Sequence, residues 1–227
     1  MSIRICSSTE LVKLNGVKIL GYGGSGVGKT RLCATAPSPL IISVEGGLLS
    51  LVKENVPAIE IHSLAELAEV YRWAYSSTEA WLYATLCLDS LSEIAEVCLA
   101  EGKTTNKDPR KAYGEMLDQM MTLVKAFRDL PGRNVYMTAK MEWQKDEAAA
   151  VSRYLPSMPG QKLGPSLPYL FDEVFHIGVG QTPDGKKFNY IQAEADFQHV
   201  AKDRSGALAP YEEPDLSKII AKIIGGK

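Results

Sequence analysis

Eight consecutive residues, Gly23-Gly24-Ser25-Gly26-Val27-Gly28-Lys29-Thr30, constrain the fold of this chain more than any other feature. They match the spacing G-x-x-x-x-G-K-[ST], which cradles phosphate when a strand leads into it and a helix leads out. Both neighbours are present. Residues 17–22 (VKILGY) form an apolar run, and residues 29–36 have helical period. Glycines let successive backbone N–H groups turn inward, and the helix N-terminus adds its positive end. On this reading Lys29 reaches the β- and γ-phosphates and the Thr30 hydroxyl ligates Mg²⁺. A Gly-rich turn without a ligand is the plainer reading, and the strand-then-helix context argues against it.

A strand–loop–helix start predicts more of the same, and the chain supplies it. Short apolar runs recur at residues 40–45 (LIISVE), 58–61, 84–89 (ATLCLD) and 134–139 (NVYMTA). Between them lie helix-period stretches at 64–75, 90–100 and 113–130. This alternation predicts an α/β fold with a mostly parallel sheet covered by helices on both faces. The last third changes character. Residues 173–180 and 187–194 flank Thr182-Pro183-Asp184-Gly185, a turn signal that predicts an antiparallel β-hairpin, and 197–204 extends the same sheet. Residues 215–224 (DLSKIIAKII) place Ile219, Ile220, Ile223 and Ile224 on one helical face, which covers the chain's own sheet or docks on a neighbour. Two stretches fit no element and read as long loops: 101–112, carrying Lys103, Lys107, Arg110 and Lys111, and 141–168, with Trp143, Lys145, Arg153, Tyr154 and Lys162.

Further candidates follow from position. Asp89 closes the run Leu86-Cys87-Leu88, and a carboxylate at the C-terminal end of a buried parallel strand faces the ligand crevice. It would share the Mg²⁺ with Thr30, provided that Ser90 rather than Asp89 caps the next helix. Glu45 ends the second run before Gly46-Gly47 and would orient the attacking water. In Lys202-Asp203-Arg204 an extended backbone puts the two cations on one face about 7 Å apart, a spacing that suits phosphates, including those bound to an adjacent subunit. Thr138 and Lys140 leave the fifth run as polar residues, and either one can sense a γ-phosphate.

Taken in order, the phosphate loop, Glu45, Asp89-Ser90 and Lys202-Asp203-Arg204 followed by Ser205-Gly206 resemble the RecA-like P-loop ATPase core. The short chain is similar to phage-encoded, core-only members of the single-strand annealing and recombination type. The resemblance spans residues 15–210 and implies one ATPase domain over 1–227, with ATP and Mg²⁺ as cofactors. It implies Glu45 as catalytic base, Lys29 on the phosphates, and Lys202 and Arg204 acting in trans in a ring or filament of like subunits. Residues 101–113 and 141–162 would be its DNA-binding loops. Lys103, Lys107, Arg110, Lys111, Lys145, Arg153 and Lys162 suit the phosphates of single-stranded DNA, and Trp143 and Tyr154 its bases. A single-strand-binding protein is an implied partner. Where recombinases usually place a glutamine, this chain has Thr138-Ala139-Lys140.

Composition narrows the alternatives. Lys plus Arg is 25 and Asp plus Glu is 27, a net charge of −2, so a histone-like mode of DNA binding is excluded. No apolar run reaches the roughly 18 residues of a membrane span, and the N-terminus lacks the apolar core of a secretory signal. Four cysteines without a C-x-x-C pair predict a reduced, cytoplasmic setting and no structural metal. Two other functions compete: a nucleotide-gated assembly protein with little turnover, and a small-molecule phosphotransferase. The second needs an arginine-rich lid, and residues 141–168 offer only Arg153.

Overall fold

The computed structural model of the protein describes residues 5–44, 46–146 and 151–225. In chain order its elements are α1 (Ser8–Asn15), β1 (Lys18–Tyr22), α2 (Lys29–Ala34), β2 (Pro39–Ser43), β3 (Ala58–Glu60), α3 (Leu64–Ser76), β4 (Thr85–Asp89), α4 (Leu91–Thr105) and α5 (Pro109–Arg128). Then come β5 (Asn134–Asp146), β6 (Val151–Ser157), α6 (Leu163–Ser166), β7 (Glu173–Gln181), β8 (Lys187–Gln192), β9 (Lys202–Asp203), β10 (Tyr211–Glu212) and α7 (Leu216–Gly225). The strands among the described residues form one sheet in the order β10-β8-β7-β1-β5-β4-β2-β3, with β6 on β5 and β9 on β7. From β7 to β3 all neighbours are parallel. The additions β8, β9, β10 and β6 are antiparallel.

The central strands are buried on both faces, which is why they read as continuous apolar runs. Their pleat sends alternate side chains to two cores. Leu20, Ile42, Leu88 and Met137 meet α3, α4 and α5 through Leu67, Ile94, Met120 and Phe127. Ile19, Ile41, Cys87 and Tyr136 meet α2 and α7 through Leu32, Cys33, Leu216, Ile219 and Ile220. The C-terminal helix thus covers the chain's own sheet. It is pinned there by bonds from the Leu216 N–H to the Thr35 hydroxyl (2.9 Å) and from the Ser217 N–H to the Thr35 carbonyl (3.1 Å).

Two expectations are corrected. Residues 101–112 are not a loop: α4 continues to Thr105 and α5 begins at Pro109. The Asp108 carboxylate accepts from the Arg110 N–H (2.9 Å) with Pro109 at the first helical position, a start signal that Asp-Pro spells in the sequence. Residues 141–168 are not a long loop either. β5 runs on past the core to Asp146 and pairs with β6 as an antiparallel hairpin, Trp143 opposite Tyr154.

Candidate active site

The phosphate loop joins β1 to α2 at the C-terminal edge of the parallel strands. Gly26 (φ 76°) and Gly28 (φ 93°) are in the left-handed region, where a side chain is strained. The Lys29 ammonium lies back over the loop and donates to the carbonyls of Gly23 (3.1 Å) and Gly24 (2.8 Å). Beneath the start of α2 the buried Tyr136 hydroxyl donates to the Lys29 carbonyl (3.3 Å), and burial holds its pKa well above the usual phenol range.

The sheet order places β5 between β1 and β4, so three polar side chains converge beside the loop. The Thr30 hydroxyl donates to Asp89 Oδ2 (2.6 Å), and the fully buried Thr138 hydroxyl donates to Asp89 Oδ1. Asp89 itself is 4% exposed. It is spared from capping α4, because Ser90 takes that task by accepting from the Glu93 N–H (3.4 Å). A hydroxyl and a carboxylate next to a phosphate cradle fit Mg²⁺, which is commonly held by one or two protein oxygens with phosphate and water completing its shell. Among the described residues there is no cluster of three or more His, Cys, Asp or Glu that could hold a metal by itself.

Thr138 and Lys140 meet different partners. Thr138 faces Asp89, whereas the Lys140 ammonium is drawn to Glu93 and to Glu96 (3.1 Å) on α4. Those two carboxylates, Glu93 foremost, raise the Lys140 pKa. The Lys140 N–H also donates to Ser92 Oγ, which in turn donates to the Ser157 carbonyl, so the root of the hairpin is tied to the start of α4.

Glu45 lies outside the described residues. Lys202 and Arg204 lie within them, away from the loop. β9 pairs with the start of β7, Lys202 opposite Val174 and Asp203 opposite Glu173. The Lys202 ammonium donates to the carbonyls of Pro168 (2.6 Å) and Phe171, and Arg204 pairs with Asp172 (2.9 Å). Since Glu173 is level with Ile19, both cations stand toward the opposite end of β1, about 16 Å along the strand direction from the loop of their own chain.

The basic residues divide into two groups. Lys103, Lys107, Arg110 and Lys111 are all exposed around the α4–α5 turn, where the Lys103 ammonium sits 5.6 Å over the Tyr113 ring. That ring abuts Gly160, close to the exposed Lys162. On the hairpin, Trp143 (54% exposed) and Lys145 share one face while Arg153 points to the other. Tyr154 is closed off by the edge of Trp143 (4.8 Å) and a stacked His199 (5.1 Å). A cavity of about 800 Å³ lies elsewhere, between α3, α4 and α5, and is mainly apolar. Among the described residues no helix is long and apolar enough to cross a membrane.

Two contacts had no signal in the sequence pattern. Asn189 on β8 donates from Nδ2 to the Val27 carbonyl of the phosphate loop (2.6 Å) across 162 residues of chain. The Tyr22 hydroxyl, one residue before the loop, donates to the carbonyls of Val200 (2.7 Å) and Tyr154 (3.1 Å).

The model of the family described as AAA domain matches residues 15–205. No curated protein matches the chain. Among solved structures, the KaiC-like protein PH0186 from the hyperthermophilic archaeon Pyrococcus horikoshii OT3 is similar at 16% identity, with 83% of each chain covered and a TM-score of 0.42.

Proposed function

The chain belongs to the AAA domain family, and on that premise we propose that it hydrolyses ATP and couples the hydrolysis to single-stranded DNA. The observation that carries the ATPase reading is the meeting of Thr30, Asp89 and Thr138 beside the phosphate loop. Thr30 and Asp89 would hold Mg²⁺, which when bound neutralises charge on the β- and γ-phosphates. Lys29 and the loop N–H groups bind and orient the same phosphates. Thr138 fixes the Asp89 carboxylate through Oδ1. Glu45 takes the proton of the attacking water.

The DNA reading is supported by exposed cations around the α4–α5 turn and by Trp143 and Lys145 on one hairpin face. Cations track a backbone and an exposed indole stacks a base, without sequence preference. Annealing or recombination is the process such an activity would serve, in a ring or filament and with a single-strand-binding protein as partner.

A second reading, a nucleotide-gated assembly with little turnover, is favoured by the engagement of Lys202 and Arg204 within their own chain. A trans role for either cation requires an adjacent copy to replace those bonds.

The deciding experiment is steady-state ATP hydrolysis with and without single-stranded DNA, with Lys29→Ala as the blank. Stimulation that disappears in the blank, and a DNA affinity falling with salt at a log–log slope of about −0.7 per phosphate contact, is the expected result. Lys29-dependent hydrolysis indifferent to DNA would end the DNA reading and leave the ATPase standing.

A further inference from the structure

We propose that Asn189 is a positioning residue for the phosphate loop, setting the orientation of the peptide between Val27 and Gly28. The inference rests on the nucleotide-binding reading of residues 23–30. A trans peptide is planar, with its C=O and N–H directed oppositely. Asn189 Nδ2 holds the Val27 carbonyl with a 2.6 Å bond, so the Gly28 N–H is directed to the side away from Asn189. There it is a donor for a bridging phosphate. The next peptide is fixed as well, because the Gly28 carbonyl accepts from the Leu32 N–H (3.1 Å), the first bond of α2.

The side chain fits closely. A Cβ added at Gly28 would fall 2.9 Å from Asn189 Nδ2, so the glycine also makes room for this amide. With φ at 93°, the Gly28 backbone has other conformations to relax into once the Asn189 bond is gone. Asn189 is held from behind by the β7–β8 pairing, opposite Val179. The adjacent Tyr190 packs against Tyr211 of β10 at 5.5 Å. Asn189 is exposed, so its amide contributes little to the free fold. Its effect falls on the loop's readiness for phosphate.

The test compares Asn189→Ala, Asn189→Asp and Asn189→Gln with the full-length chain and with Lys29→Ala, using MgATP binding by calorimetry, kcat and KM, and thermal midpoints. We expect Asn189→Ala to weaken MgATP binding about two- to tenfold, the range for one lost hydrogen bond. KM should rise while kcat stays within about twofold, since the loop holds ground and transition state alike. Asn189→Asp is isosteric but presents only acceptors to the Val27 carbonyl and adds negative charge, so its loss should exceed about tenfold. Asn189→Gln keeps the donor and should recover part of the affinity. Midpoints without nucleotide should agree within about 2 °C. Wild-type affinity in both the Ala and Asp variants would overturn the proposal while leaving nucleotide binding intact, and so would a loss matched by a lower midpoint without nucleotide. Absence of any Lys29-dependent MgATP binding in the unaltered chain would overturn the parent reading and this one together.

Discussion

Replacing Glu173 by Gln should make the protein more stable, and more so at pH 8 than at pH 5. Glu173 opens β7, is 0% exposed, and faces Asp203 across the β7–β9 pair with Asp172 beside it. Burial foremost, then the Asp203 carboxylate, pushes its pKa from 4.5 up to about 8. The folded state therefore keeps this proton after the unfolded chain has released it. Stability is full below pH 4.5 and falls as pH rises toward 8, at about 1.4 kcal/mol per pH unit for one proton. By pH 7 the accumulated cost is about 3 kcal/mol. Asp203 is shifted the other way: although burial opposes it, bonds from Ser205, Leu208 and Gly206 lower its pKa. That contribution is already complete above about pH 4 and adds no slope between pH 5 and 8. Comparison with the variant isolates Glu173. The amide keeps the oxygen that accepts from the Ser205 N–H (3.3 Å) and offers Asp203 a permanent donor. Urea titrations of both proteins at pH 5, 6, 7 and 8 should show a gap that widens by about 3–4 kcal/mol from pH 5 to pH 8. Parallel pH profiles would refute the reasoning, because they would mean that Glu173 ionises in the folded state as readily as in the unfolded one.

Three further outcomes follow from the same contacts. Thr138→Val strips Asp89 Oδ1 of a buried donor. Unfolding free energy should drop about 1–3 kcal/mol, and the Mg²⁺ needed for half-maximal nucleotide binding should rise about tenfold or more. Arg204→Ala breaks a surface pair worth at most about 1 kcal/mol, so urea stability should barely move. If Arg204 acts in trans, ATPase activity should nevertheless collapse and be partly restored on mixing with Lys29→Ala. Ile219→Ala opens the core under α7 and should cost about 2–5 kcal/mol, read as a lower urea midpoint at unchanged slope.

The sequence determined whatever depends on neighbours along the chain. The phosphate loop is legible because its geometry needs glycines at fixed spacing between a strand and a helix. Asp89 is legible because it closes an apolar run and Ser90, next in line, is a competent helix cap. The doubly covered sheet and the β7–β8 hairpin follow from runs, periods and a turn signal. The hairpin of β5 and β6 was not legible as structure, since its exposed half leaves the core and with it the apolar pattern that marks a strand. Asp108-Pro109 did announce the start of α5, but the polar stretch around it concealed the signal.

Tertiary structure alone decided which polar groups meet. Thr138 and Lys140 are two residues apart and equally polar, and only the position of β4 and α4 sends one to Asp89 and the other to Glu93 and Glu96. Lys202 and Arg204 spell an interfacial pair in sequence, yet the pairing of β9 with β7 gives both of them partners in their own chain. Asn189 could not be found from pattern, because its partner Val27 lies 162 residues away and a lone asparagine in an exposed strand has no period. Local chemistry fixes which conformations a segment can adopt. Which donor faces which acceptor is set by the sheet order, which brings together residues far apart in the chain.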